Sequence, residues 1–345
     1  MRYAALLLLA LASCESDVAS SASPVVGGYF DQSAGPTVAL IRCAGTCAFT
    51  PYLNVEEICS GTLIGPNLVL TARHCVAPQV NGDNGVLCGK TTFAPAYPAD
   101  NFIVTPAKDI LEGGPWYIAS GVSFDGADGD FVCGHDVAAL ELRASYVGAQ
   151  PLAPELSPPF AGEPYSAIGY GDDQDGGLGY RHRRDGLLVQ CVGIDCNKPP
   201  IVVEDDELMG QTGLCGGDSG GPAVDLTGRI IGVTSRANAT DCTTPIYSRV
   251  DSHAAWLVAI ATQAARDGDY AVPAWAFSAP PLDAGVDAAP PFDAGFSFDA
   301  AAPKPAVGTV SGGCDAAPAR GGWGFALAAL LLFLRSARGG SQSSS

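Results

Sequence analysis

Positive charge is scarce in this chain. Its 345 residues carry 18 lysines and arginines against 36 aspartates and glutamates, a formal net charge of −18. Such an imbalance repels a phosphate backbone and argues against a nucleic-acid partner. Methionine is nearly absent, at two positions, while glycine (43) and proline (26) abound. An all-helical fold does not fit that composition. Long apolar runs are missing too, because neither apolar stretch near a terminus reaches the ~20 residues of a free membrane-spanning helix. Histidine occurs four times, at His74, His135, His182 and His253, so imidazole chemistry has few candidates. The 12 cysteines form no repeated CxxC pairs. They read as disulfides of an exported protein and not as zinc ligands, and neither a metal nor a cofactor is expected.

What is present begins with an export signal. Met1-Arg-Tyr is followed by an apolar run that ends in Leu11-Ala-Ser-Cys14. One early positive charge, a short apolar core and small residues describe a signal peptide. The last four residues resemble a bacterial lipobox with Cys14 as the lipidated residue. Cleavage a few residues later, with Cys14 incidental, is the other reading. Residues 1–24 are taken as signal peptide and propeptide, and 25–268 as the globular domain. Short β-branched or alternating runs (Thr37–Arg42, Leu63–Leu70, Val137–Leu142, Arg229–Thr234) stand between Gly, Pro, Asn and Asp, the pattern of an all-β barrel or sandwich. The Pro-rich stretch Gln150–Phe160 divides the domain into halves of about 25–150 and 151–268. Asp251–Arg266 has helical spacing and is predicted to close the domain.

Residues 269–311 form a linker rich in Ala, Pro and Asp, too polar to make a core and without a calcium-spaced loop. Residues 312–345 follow, with Gly312-Gly-Cys314, an apolar run Trp323–Leu334 and arginines at 335 and 338. That order of parts resembles a MYXO-CTERM-type sorting tail, which implies processing at Cys314. Together the ends imply an exported protein at a bacterial cell surface or outer membrane, held through terminal anchors or released from them.

The chemistry concentrates in three segments. Thr212-Gly-Leu-Cys-Gly-Gly-Asp-Ser-Gly-Gly-Pro222 surrounds one serine with glycines, which let backbone N–H groups crowd a reacting centre. Leu70-Thr-Ala-Arg-His-Cys75 ends a β-branched run on a histidine, and His135-Asp136 precedes the alternating stretch Val137–Leu142. A serine hydroxyl needs a base in contact, and the base an orienting acid. With the Val25-Val-Gly-Gly28 start and Pro245-Ile-Tyr-Ser-Arg-Val250, these segments resemble the chymotrypsin-like serine proteases over about Val25 to Arg266. The order His, Asp, Ser is that family's order.

The resemblance implies two antiparallel six-stranded β-barrels with a C-terminal helix, and endopeptidase activity on protein or peptide substrates. It implies His74 as general base, Asp136 as orienting acid and Ser219 as nucleophile, with the N–H groups of Gly217 and Ser219 as oxyanion hole. His135 is left as a bystander. Side chains at 216, 217, 220 or 221 are expected to obstruct the acyl group or the turn. Ser235 would hydrogen-bond the acid, on a strand that pairs with substrate backbone. Cys59–Cys75 and Cys215–Cys242 are implied bridges. The six other cysteines of the domain allow fifteen pairings; short spacing favours Cys43–Cys47 and Cys191–Cys196, which leaves Cys88–Cys133.

Several residues depart from the family pattern. Arg73 replaces a small residue and is expected to point outward. Arg236 replaces an aromatic and is expected to favour acidic residues upstream of the cleaved bond. Gly213 stands at the pocket floor where trypsin-like members carry aspartate. Leu214 is expected to line an apolar interior and Ala237 to narrow its entrance, so uncharged small or medium side chains should precede the cut. Val25 would pair its freed amine with Asp218 on activation, but Pro24 precedes it, which implies a separate activating protease. The competing reading is a catalytically silent, surface-anchored binding protein on the same fold.

Overall fold

The computed structural model describes residues 25–277 except Val26, Ala34, 48–53, 83–84, 127–129, Val147, 173–177, Thr212 and 238–241. The signal peptide, Cys14, most of the linker, Cys314 and the sorting tail lie outside the described residues.

Strands are numbered in chain order. The first nine are β1 (Tyr29–Phe30), β2 (Thr37–Cys43), β3 (Val55–Gly65), β4 (Leu68–Thr71), β5 (Gln79–Val80), β6 (Thr92–Phe93), β7 (Phe102–Thr105), β8 (Tyr117–Phe124) and β9 (Ala138–Leu142). The rest are β10 (Pro164–Gly169), β11 (His182–Val192), β12 (Glu207–Gly210), β13 (Pro222–Asp225), β14 (Ile230–Arg236) and β15 (Ile246–Arg249), followed by helix α1 (Ala254–Asp267). Strands β2-β3-β4-β9-β8-β7 close one antiparallel barrel. A second closes through β11-β10-β13-β14-β15-β12, because β12 also pairs with β11. The fold is the expected pair of six-stranded barrels with one C-terminal helix. The apolar run Leu63–Leu70 is two strands, since Pro66 and Asn67 turn the chain between β3 and β4.

The first barrel is filled by aliphatic residues such as Leu40, Leu63, Ile64, Leu70 and Leu140, all buried. Alternation gives way there to nearly continuous burial along β2 and β4: on β2, Val38 and Leu40 join the barrel core, while Ala39 packs with Ile110 and Tyr170, and Ile41 with Cys47 and Ile103. The helix presents Trp256, Leu257, Ile260, Ala261 and Ala264 to that barrel's core. Trp256 Nε1 donates to Ser123 Oγ at 3.1 Å, and Asn67 Nδ2 to the Ala264 carbonyl at 3.3 Å. Conversely β1, from the start of the domain, pairs with β11 of the second barrel, Tyr29 against Arg183. Each half of the sequence thus lays an end segment on the other half's barrel.

Among the described residues five disulfides are formed: Cys43–Cys47, Cys59–Cys75, Cys88–Cys133, Cys191–Cys196 and Cys215–Cys242. They fit an oxidising compartment. Among the described residues no helix is long and apolar enough to cross a membrane.

Candidate active site

His74 lies in a short 3-10 turn, Arg73–Cys75, directly after β4. The disulfide to Cys59 on β3 pins that turn to the barrel. Asp136 stands immediately before β9, which pairs with β4, so the two residues leave adjacent strands at the same end. His74 donates its backbone N–H to Asp136 Oδ1 at 2.8 Å, and its Nδ1 lies 2.7 Å from Oδ2. Ser235 Oγ donates to the same Oδ2 at 2.7 Å from β14, across the barrel boundary. The Asp136 side chain is 1% exposed and that of His74 is 15% exposed, so one ring edge reaches the surface.

Burial alone would raise the Asp136 carboxyl. The His74 charge and the hydrogen bonds from His74 and Ser235 outweigh it and hold the carboxyl below its ordinary range. For His74, burial would lower the pKa. The Asp136 charge, its hydrogen bond and the nearby Glu57 carboxylate prevail and raise it above 6.5. The ring nitrogen and the sulfurs of Cys59 and Cys75 fall within 4.8 Å of one another, but a disulfide offers no thiolate to a metal.

Ser219 comes from the second barrel's turn and is sewn to the first. Its carbonyl accepts the Ser60 amide at 2.7 Å, and Cys75 Sγ lies 3.7 Å from the same oxygen. Ser60 Oγ bridges further, donating to the Gly217 carbonyl at 2.8 Å and accepting the Tyr170 amide at 2.9 Å. Ser60 was not singled out in the sequence, though its place directly after Cys59 is a local signal. Gly220 sits at φ 82°, and a Cβ there would meet the Ser60 carbonyl at 2.3 Å and Thr71 Oγ1 at 2.2 Å. Gly217, at φ 97°, would press a Cβ on Gly171 Cα at 2.8 Å. Gly216 differs from expectation: its Cβ would meet nothing within 4 Å, because that residue lies at the exposed rim of the turn.

Asp218, next to Ser219, is fully buried. It accepts backbone N–H groups from Cys215 at 3.0 Å and Gly171 at 2.9 Å, and a further backbone hydrogen bond from Val25. Desolvation still pushes its carboxyl up to about 7. Gly169 and Gly171 cradle it, since a Cβ on either would strike Asp218 Oδ1 at 2.2 or 2.6 Å. The Gly169-Tyr-Gly171 turn went unremarked in the sequence, although paired glycines at a strand end are its signal.

This is a site in which an imidazole, oriented by a buried carboxylate, sits on a disulfide-pinned turn against the turn that bears a serine. The family model for trypsin matches residues 42–257 of the chain. The chain belongs to the trypsin family. A trypsin from Saccharopolyspora erythraea is 28% identical over 210 residues, covering 57% of this chain and 84% of the relative. Proproteinase E from Bos taurus is 28% identical over 234 residues, covering 59% and 83%. As a trypsin-family protein the chain is a serine endopeptidase, a hydrolase whose substrates are proteins or peptides.

Four of this trypsin-family chain's expected residues stand differently. Arg73 does not point outward: its side chain is 2% exposed, with the guanidinium 4.0 Å from the Phe124 ring centre and 4.5 Å from that of Phe93. Its Nη2 meets Asp130 at 2.7 Å, and stacking between two rings is the physical reason a cation can lie there. Leu214, 2% exposed, is drawn into the second barrel's core with Tyr247 and Ile231, and Ala237 packs on the same cluster. It fills space instead of lining it. Gly213 donates its N–H to the Cys242 carbonyl at 3.1 Å, joining floor to wall. Arg236 is not offered to substrate, because both of its terminal nitrogens bind the buried Glu207 carboxylate. His135 is half-buried in a turn whose amide reaches the Val132 carbonyl at 3.2 Å.

Proposed function

We propose that the protein is an exported endopeptidase that cleaves peptide bonds through an acyl-enzyme formed on Ser219. The observation that carries this reading is the hydrogen-bonded row Ser235–Asp136–His74, docked on the turn that bears Ser219. His74 takes the Ser219 proton as Oγ attacks the scissile carbonyl carbon, and the carbonyl electrons move onto oxygen. The N–H groups of Gly217 and Ser219 meet that oxyanion. Collapse breaks the C–N bond, and His74 delivers its proton to the leaving amine. Water then repeats the sequence on the ester, returning the proton to Ser219 and releasing the carboxylic acid. Asp136 stays ionised and holds the His74 tautomer.

Strand β14 pairs with the substrate backbone and supplies affinity without side-chain choice. Choice falls to the pocket. Without a carboxylate at Gly213, a buried lysine or arginine head group would be unpaired. Small or medium uncharged side chains are therefore favoured before the cleaved bond. Activation is by cleavage before Val25, whose new ammonium would neutralise Asp218. Pro24 at that junction requires another protease, and because the same cut removes Cys14, only the sorting tail anchors the activated protein.

The test is covalent labelling with a fluorophosphonate, which reacts with an activated serine. Processed wild-type protein should label and Ser219→Ala should not. An unlabelled, fully processed wild type would favour the silent binding protein. Cuts mainly after Lys or Arg in a peptide library would overturn the pocket reading alone.

A further inference from the structure

Glu207 opens β12 with no exposed surface. A carboxylate so placed is tolerated only when paired. Its Oε1 accepts the Gly134 amide at 2.9 Å and Arg236 Nη1 at 2.5 Å. Its Oε2 accepts the Glu204 amide at 3.0 Å and Arg236 Nη2 at 2.8 Å. The guanidinium fork meets both carboxylate oxygens, which fixes its plane as well as its position. Arg236 Nη2 also donates to the Val202 carbonyl at 3.0 Å and lies 3.6 Å from Cys88 Sγ.

The residues so joined surround Asp136 from two directions. Gly134 is two positions before Asp136 on the same turn. Arg236 follows Ser235, whose hydroxyl holds the Asp136 carboxylate. Both grips lead to one buried side chain. The Cys88–Cys133 disulfide is an independent tie on the same turn, and its Cys88 end lies against Arg236. Arg236 also terminates β14, the strand that pairs with substrate.

We propose that the Glu207–Arg236 ion pair is a positioning device: it sets the spacing between the turn that carries Asp136 and the substrate-pairing end of β14. It thereby holds the His74 imidazole in line and fixes the wall that meets residues upstream of the cleaved bond. The proposal rests on the reading of Ser219, His74 and Asp136 as the catalytic unit. An acidic residue upstream gains nothing from Arg236, whose charge Glu207 already neutralises.

The test compares Arg236→Gln, Glu207→Gln and the double variant, in processed protein, on a tetrapeptide amide and on a single-residue ester. Misalignment of the base should lower kcat on both substrates by roughly tenfold or more. Loss of the strand wall should raise KM about fivefold for the tetrapeptide only. The double variant, with no unpaired charge, should recover about threefold of the single variants' kcat loss. The low-field proton resonance of His74 Nδ1–H should broaden or move in the single variants. Folded variants with wild-type kinetics on both substrates and an unchanged resonance would overturn the proposal. If Arg236→Gln does not fold, Arg236→Lys keeps the charge and loses the fork, and the same pattern at smaller amplitude is required of it. Should wild-type protein neither label nor turn over, the catalytic reading fails, and the resonance alone decides whether the pair positions Asp136.

Discussion

The two barrels share a topology and differ in what fills them. In each, the strands taken in chain order close in the sequence first, second, third, sixth, fifth, fourth. The first barrel buries Leu40, Leu63, Ile64, Leu70, Leu140 and Phe102. The second sets Tyr165 and Tyr247 among Leu187, Val189, Leu208 and Ile231, and buries charge around that core: Glu207, Asp218, and the fully buried Arg181, which meets Asp31 at 3.0 Å. Burial pushes the Tyr247 hydroxyl well above its ordinary pKa. An aliphatic interior is held by shape and needs no particular partner. A polar interior is held by matched pairs, and one partner added or withdrawn can change its state. The proposed base and acid come from the shape-held barrel, and the proposed nucleophile comes from the pair-held one.

The sharpest way to break this comparison is to remove one catalytic group from each barrel. Ser219→Ala and His74→Ala should each lower kcat for peptide hydrolysis by at least about 10⁴ without moving the thermal midpoint. The double variant should be no worse than either single one, since the two act as a unit. Multiplying losses would show two independent contributions.

The interiors can be weighed next. Leu140→Ala in the first barrel should cost about 3 kcal/mol through a cavity that aliphatic neighbours do not refill. Tyr247→Phe in the second should cost about 1 kcal/mol, because it deletes only the hydroxyl that meets Tyr165 Oη. Urea unfolding of both variants measures the ratio, and equal costs would erase the distinction.

A third experiment addresses Asp218. A carboxyl with a folded-state pKa above its unfolded value binds its proton more tightly in the native chain. Stability therefore falls as pH rises from 3.8 to about 7. In Ser219→Ala protein with residues 15–24 attached, this loss should reach on the order of 4 kcal/mol. Cleavage before Val25 supplies an ammonium and should remove the loss. Glu141, also pushed up to about 7 by burial and the nearby Asp267, titrates in both forms and cancels in the difference. Identical pH profiles before and after cleavage would count against the Val25–Asp218 pair.

The smallest effect concerns Glu57, on β3, whose carboxylate raises the His74 pKa. Hydrolysis requires neutral His74, so kcat/KM should climb through a midpoint above 6.5. Glu57→Gln should move that midpoint down with the plateau unchanged. An unmoved midpoint would leave Asp136 as the sole source of the shift.

What the sequence made legible was local. His74, Asp136 and Ser219 each stand among their own marker residues, and strands such as Thr37–Arg42 and the closing helix announce themselves by period. What it hid depends on distant partners. Arg236 and Glu207 are 29 positions apart, and neither neighbourhood signals a buried ion pair. The direction of Arg73 is decided by Phe93 and Phe124, which no local pattern links to it. Leu214 looked like a pocket wall because its chain neighbours are pocket residues, yet its spatial neighbours are core. The assignment of β1 and α1 to opposite barrels was hidden for the same reason, since a period reports a face and not what covers it.

That exchange of ends has a consequence for survival. A peptidase lives in a solution of peptidases, and chains are cut mainly from opened forms. Were each barrel self-contained, one could fray and be trimmed while the other persisted. Here the first barrel cannot loosen without baring the apolar side of α1, nor the second without releasing β1. Opening either barrel therefore also strips cover or pairing from a segment of the other half. The clasp makes resistance to self-digestion a property of the whole chain's opening rate, whichever loop meets the protease first.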